Sequence, residues 1–208
     1  MKNKNFGKIS AVLLTFFATT LVGCGGGKSD SAQEYYDSLI GINQGVVDES
    51  ESAQTQMQNV MQKVQAGEAN AGDYDLLIKS LGDINSFLKN ASEKVSDLDP
   101  VGEGAEDLRD AFVGNIEVNN KVIDSIVVMI EYIRDNQDRF TSSDEEEKKA
   151  VQEEVQQISQ DIANVSVAVS ESDQKLQRIS QTFIQENDIV IQNSDEESEE
   201  VEAMMMEK

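Results

Sequence analysis

Cys24 is the single cysteine of a 208-residue chain that has no histidine and no tryptophan. A thiol can be alkylated, oxidised or bound to a metal, but one thiol alone forms no intramolecular disulfide. The absent histidine removes the commonest general base and the commonest metal ligand. A Ser-His-Asp set and an HExxH helix are therefore impossible, and GxSxG, P-loop, GxGxxG and CxxC patterns do not occur. Carboxylates are abundant, 40 Asp+Glu against 17 Lys+Arg. A di-metal carboxylate bundle, however, draws on Glu-x-x-His pairs that this chain cannot supply. Asp97-Leu98-Asp99 followed by Gly102 has part of a calcium loop's character but lacks the alternating ligands and the closing Glu. These residues predict no enzyme, no metal site and no cofactor. They leave Cys24 as the one position with assignable chemistry.

The surroundings of Cys24 give that chemistry a direction. Lys2, Lys4 and Lys8 make a positive start, Ile9 to Val22 is apolar with scattered Ser and Thr, and the small residue Gly23 follows. A basic flank, a short apolar run and a small-residue exit are the parts of a secretory signal peptide. The apolar run falls short of the ~20 residues a spanning helix needs. Leu21-Val22-Gly23-Cys24 resembles the lipobox of bacterial lipoproteins, where an apolar pair and a small residue precede an obligate cysteine. The resemblance implies a diacylglyceryl thioether on Cys24, cleavage between Gly23 and Cys24, and in many bacteria a further palmitate-type acyl chain on the new α-amino group. Two or three chains hold a protein at a bilayer lastingly, whereas one binds only marginally. The alternatives are an ordinary signal peptide with an incidental cysteine, or an uncleaved anchor. No aspartate retention signal follows the cysteine. The expected address is a cell membrane or, in a Gram-negative cell, the outer membrane. Residues 1–23 read as signal peptide and 24–31, with Gly25-Gly26-Gly27, as a flexible tether.

Charge narrows the partners. Loss of residues 1–23 would remove three Lys and no acids, leaving 14 Lys+Arg against 40 Asp+Glu and a net charge of −26. Phosphate backbones need a basic surface, so nucleic acid is excluded as a partner. Direct adsorption to anionic lipid is opposed by like charge. A basic protein, a cationic peptide or divalent cations remain compatible, beside a plainly solvated acidic surface.

The elements that must position any site are helical. Apolar residues recur at three and four from Ala32 to Ala66 (Leu39, Ile42, Val46, Ala53, Val60, Val64), from Asp73 to Leu98 (Leu77, Leu81, Ile84, Leu88, Ala91, Val95), from Glu103 to Asn136 (Leu108, Phe112, Ile116, Val122, Ile123, Ile126, Ile130, Ile133) and from Asp144 to Asn187 (Val151, Val155, Ile158, Ile162, Val165, Val169, Leu176, Ile179, Phe183). Ser31 with Glu34, and Ser143 with Glu146 or Ser142 with Glu145, fit capping boxes. Pro100 is the only proline. The expected fold is all-α: an elongated antiparallel four-helix bundle over residues 32–187, or a three-helix core with a loosely attached first helix. The third helix, apolar nearly all round from Ser125 to Ile133, should be the most buried. Asn115 and Asn119 fall near its stripe, where polar residues fix register. Tyr35 and Tyr36 follow the tether and suit either a membrane interface or an ordinary helix start. Residues 188–208 are acidic and Ser-rich and read as a disordered tail.

The function expected from these features is a lipid-anchored, non-enzymatic envelope protein that engages another protein or a cell-wall component. The alternative is a lipoprotein that holds a small ligand or cation in an under-packed stretch near Gly41, Gly45, Ala53 and Ser172.

Overall fold

The computed structural model describes residues 30–66 and 68–191. Gly23, Cys24, the apolar run before them and residues 192–208 lie outside the described residues, as does all of the tether but Asp30 and Ser31. The described chain is all-helical: α1 (Asp30–Ala66), α2 (Ala71–Ser96), α3 (Ala105–Asp135), α4 (Gln137–Thr141) and α5 (Glu145–Glu186). None of these helices is long and apolar enough to cross a membrane.

Helix starts follow local chemistry, in places displaced from the sequence expectation. α1 already runs through Ser31 from Asp30, so Ser31 is not its cap. Asn70 caps α2, which begins at Ala71 rather than Asp73: its side chain accepts from the Gly72 N–H at 2.9 Å while Asp73 accepts from the Asn70 N–H at 3.0 Å. Each side chain satisfies a backbone donor the helix itself leaves free. α5 starts on Asp144, whose carboxylate accepts from the Glu146 and Glu147 N–H groups, while Ser142 accepts from the Asp144 N–H. A carboxylate there also meets the positive end of the helix dipole. The short α4 is an element that the apolar pattern did not foretell.

Successive long helices run antiparallel. α1 packs along α2, α2 along α3, and α3 along α5, with α4 laid on α5. Lys63 meets Asp73 and Gly45 faces Phe87 across α1 and α2, Asp75 pairs with Arg134 across α2 and α3, and Asn115 with Asp173 and Tyr132 with Glu154 across α3 and α5, which fixes the direction of each neighbouring pair. Among the described side chains α3 buries the most, including Leu108, Phe112, Val122, Ile126 and Met129. α1 belongs to the same core through Ala32, Tyr36, Leu39, Val46, Met57 and Val60. Leucine-sized side chains removed from water in this way contribute roughly 1.5–3 kcal/mol each. α1 and α5 make no comparably extensive contact among the described residues. Accordingly Val155, Ile158, Val165 and Ile179 of α5 are only partly buried.

The end of α5 is not ragged. Asp188 takes a left-handed backbone, φ 51°, and the Ile189 N–H returns to the Ile184 carbonyl at 3.0 Å. This is a Schellman closure. It buries Ile189 and lets the Val190 N–H donate to Gln33 at 3.1 Å. Of residues 188–191 only Ile189 is buried, while Asp188, Val190 and Ile191 stay exposed.

Candidate functional site

Three polar or aromatic constellations stand out, two of them at the end of the molecule where α1 begins. The first is a ring cluster. Phe183 lies edge-on to Tyr35, with centroids 6.0 Å apart, and stacks on Tyr36 at 6.1 Å. The Tyr35 hydroxyl donates to the Ala105 carbonyl at 3.1 Å. Tyr36 is 1% exposed and its hydroxyl has no hydrogen-bond partner among the described residues. Burial, reinforced by Asp37, pushes its pKa up to about 12. Neither ring is offered to a membrane interface. Both are core residues, because a phenylalanine almost 150 positions further along the chain comes back to meet them.

The same end is closed by Asn187. Its Oδ1 accepts from the Glu103 N–H at 2.9 Å, and its Nδ2 donates to the Glu103 carbonyl at 3.0 Å. Gly102, φ 109°, makes this approach possible: a Cβ there would stand 2.5 Å from Asn187 Oδ1. Asp97 ends α2 by donating its N–H to the Glu93 carbonyl at 2.9 Å. The 97–102 stretch is thus a helix-to-helix turn. Among the described residues no group of three or more Asp, Glu, Cys or His could hold a metal ion.

Beside this turn lies the second constellation, a cleft of about 400 Å³ between the start of α3 and the last turns of α5. Its lining from α3 is Gly104 and Asp107. From α5 come Lys175, Arg178, Ile179, Thr182, Phe183 and Glu186. The α5 residues are spaced three and four apart, so they share one helical face. Ile179 and Phe183 make an apolar floor. A Cβ on Gly104 would stand 3.4 Å from Glu186 Oε2, so the carboxylate closes the cleft at that end. Arg178 Nε donates to the Gln174 carbonyl at 3.2 Å, and the Thr182 hydroxyl to the Arg178 carbonyl at 3.1 Å. Neither Lys175 nor Arg178 has a carboxylate within 4 Å among the described residues, whereas Arg109, Arg134 and Arg139 all do.

The third constellation is internal. Asn119, 5% exposed, donates through Nδ2 to the Asn115 carbonyl at 2.9 Å and to Asn115 Oδ1 at 3.0 Å. Asn115 donates in turn to Asp173 Oδ1 at 2.7 Å. Burial pushes the Asp173 carboxyl up, and the Asn115 hydrogen bond only partly opposes it. The Asn119 Oδ1 has no partner among the described residues. Both asparagines thus do sit at the core stripe; Asn115 ties α3 to α5, and Asn119 holds Asn115 from within α3. The under-packed stretch imagined around Gly45 is filled: a Cβ there would meet the Phe87 ring at 3.3 Å. Gly41 faces open space, Ser172 lies 3.4 Å from Asn115 Nδ2, and the Ala53 side chain is outside the described ones.

At the opposite end Tyr132 and Arg139 converge on Glu154, and Arg139 Nε lies 3.8 Å from Glu147. The Tyr132 hydrogen bond and then Arg139 hold the Glu154 carboxyl below its ordinary range. This network fastens α4 to α5.

No family model, no curated protein and no solved structure matches the chain. The functional reading therefore rests on the residues themselves.

Proposed function

We propose that this chain is a cell-envelope lipoprotein, lipidated at Cys24 after cleavage behind Gly23, whose four-helix body engages a protein or cell-wall partner without catalysis. The observation that carries the reading is Leu21-Val22-Gly23-Cys24: a lone cysteine set behind a basic and apolar run. Six residues after Cys24 the first described helix begins, and the end of the body from which it starts is locked by the Tyr35–Tyr36–Phe183 rings and the Asn187 clasp. A body closed at its tethered end suits a protein held by that end. An up-down-up-down bundle fits the order in which the helices pack, with α1 and α5 approaching at the ring cluster.

The test is a Cys24→Ser substitution expressed in a bacterial host with labelled fatty acid. The parent should incorporate label, shorten by the mass of residues 1–23 and partition with membranes. The substituted chain should incorporate none and stay at precursor length. A mature-length, membrane-bound Cys24→Ser protein would overturn the reading. The ligand-binding alternative has one observation in its favour, the cleft between α3 and α5.

A further inference from the structure

We infer that the cleft between α3 and α5 is a binding site for a short zwitterionic peptide with an apolar central side chain. This goes beyond the anchoring proposal and does not depend on it, because no group in the cleft takes part in lipidation.

In a chain where acids outnumber bases more than twofold, most arginines find carboxylates without difficulty. Among the described residues Arg178 is the one arginine that does not, and Lys175 one turn earlier on the same face, like several other lysines, has no carboxylate within 4 Å. These two are also the only cations between Lys149 and Lys208. Arg178 commits Nε to its own helix, which leaves its two terminal nitrogens to take a carboxylate end-on.

The opposite end of the cleft carries the opposite sign. Glu186 lies against Gly104, and Asp107, in the first turn of α3, is the other acid of the lining. The cleft is therefore polarised along its length. An anion alone would be attracted at one end and repelled at the other. So would a cation alone. A molecule with both charges, in the right order, is attracted at both ends.

Length and floor select among zwitterions. Arg178 and Glu186 are eight residues apart on α5, about 12 Å at 1.5 Å per residue. Three residues of extended peptide span roughly 10–11 Å. Between the charged ends the surface is Ile179 and the edge of Phe183, which favours an apolar side chain over a polar one. A volume of about 400 Å³ falls within the range of small-molecule sites. The geometry assigns the peptide carboxylate to Arg178 and Lys175, its ammonium to Glu186 and Asp107, and its middle side chain to the floor. The Thr182 hydroxyl can accept a backbone N–H between them.

The experiment is isothermal titration of the full chain in detergent with the tripeptide Ala-Leu-Ala in three forms: free termini, N-acetylated, and C-amidated. Saturable binding of the free form is expected, with each blocked form about tenfold weaker or more, since a hydrogen-bonded charge is lost. Arg178→Gln should abolish the preference for the free carboxylate and keep that for the free amine. Glu186→Gln should do the reverse. Both positions are exposed, and circular dichroism checks that the helices persist. Equal affinity for free and blocked peptides overturns the proposal. So does butyrate binding as well as the free tripeptide, and so does absence of saturation by the free form at about 10 mM, near the weak limit of specific binding.

Discussion

The carboxamide of Asn187 holds the backbone of Glu103 by both its groups, accepting from the N–H and donating to the carbonyl across 84 positions of sequence. The clasp joins the end of α5 to the turn before α3, and it needs the space that Gly102 leaves. Gly102→Ala should lower stability by roughly 1–3 kcal/mol, since a side chain there meets both a left-handed backbone and Asn187. Asn187→Ala should cost about 2 kcal/mol for two lost hydrogen bonds. The two effects should be less than additive in a double mutant, because both break one contact. Urea unfolding of the four proteins checks this, and full additivity would show the clasp is not shared.

Asp188 holds φ 51° in the turn that closes α5. A residue with a Cβ bears a penalty of roughly 1–2 kcal/mol in that conformation, and glycine does not. Asp188→Gly should raise the unfolding free energy by about 1 kcal/mol. A loss of stability instead would mean that the aspartate side chain makes a compensating contact.

Tyr36 buries a hydroxyl that finds no partner among the described residues. Removing it leaves the ring and its stacking on Phe183 in place. Tyr36→Phe should therefore be neutral or stabilising by about 1 kcal/mol, in contrast to Phe183→Ala, which should cost about 3–5 kcal/mol. Thermal unfolding of the two variants separates them. A clearly destabilised Tyr36→Phe protein would mean that the hydroxyl is hydrogen-bonded in solution.

Carboxyls in this protein are displaced in both directions. Burial raises Asp173 above its ordinary 3.8. The folded state then prefers the protonated form, so stability falls as pH rises from the ordinary aspartate value through the raised one. Asp73, held down first by its Lys63 hydrogen bond and then by the Asn70 N–H, has the opposite sign. Its contribution is present above the ordinary aspartate value and is lost as pH falls through the lowered one. Asp173→Asn should therefore raise stability at pH 7 and change little near pH 3, when the carboxyl is protonated in both states. Asp73→Asn should lower stability at pH 7. Urea midpoints at the two pH values decide each case, and equal Asp173→Asn effects at both would rule out the charge as the cause.

Much of the architecture is legible in the residues, because long helices with a three-and-four apolar repeat advertise the face they bury. Leu77, Leu81, Ile84, Leu88 and Val95 all lie inside as their spacing requires. Periodicity names the face but not the neighbour, however. The α5 stripe is as regular as that of α2, yet half of it is only partly buried, since α5 rests on α3 and little of α1 covers its other side. Caps are ambiguous for a different reason: Ser142, Ser143 and Asp144 are all competent, and which one caps depends on the turn leading into the helix. Tyr35 and Tyr36 look peripheral in sequence because Phe183 is remote there. The cleft was missed because Lys175, Arg178 and Glu186 resemble any solvated face until Gly104 is brought against them. The signal available was the isolation of two cations in an otherwise cation-free stretch. Cys24 and Gly23 stand outside the described residues, so the structure leaves their roles as the sequence presents them.

The antiparallel course of the helices brings Asp30 and Ile191 out at one end, where Gln33 meets Val190. This sets how the molecule bears mechanical load. If the tether is held and a partner grips the far tip near α4, the force runs along α1 and is resisted in shear by its whole packed length against α2. If the tether and the chain beyond Ile191 are pulled apart, the same contacts are loaded one at a time, beginning with Gln33 and the aromatic rings. The body thus resists load along its length better than load between its own two ends.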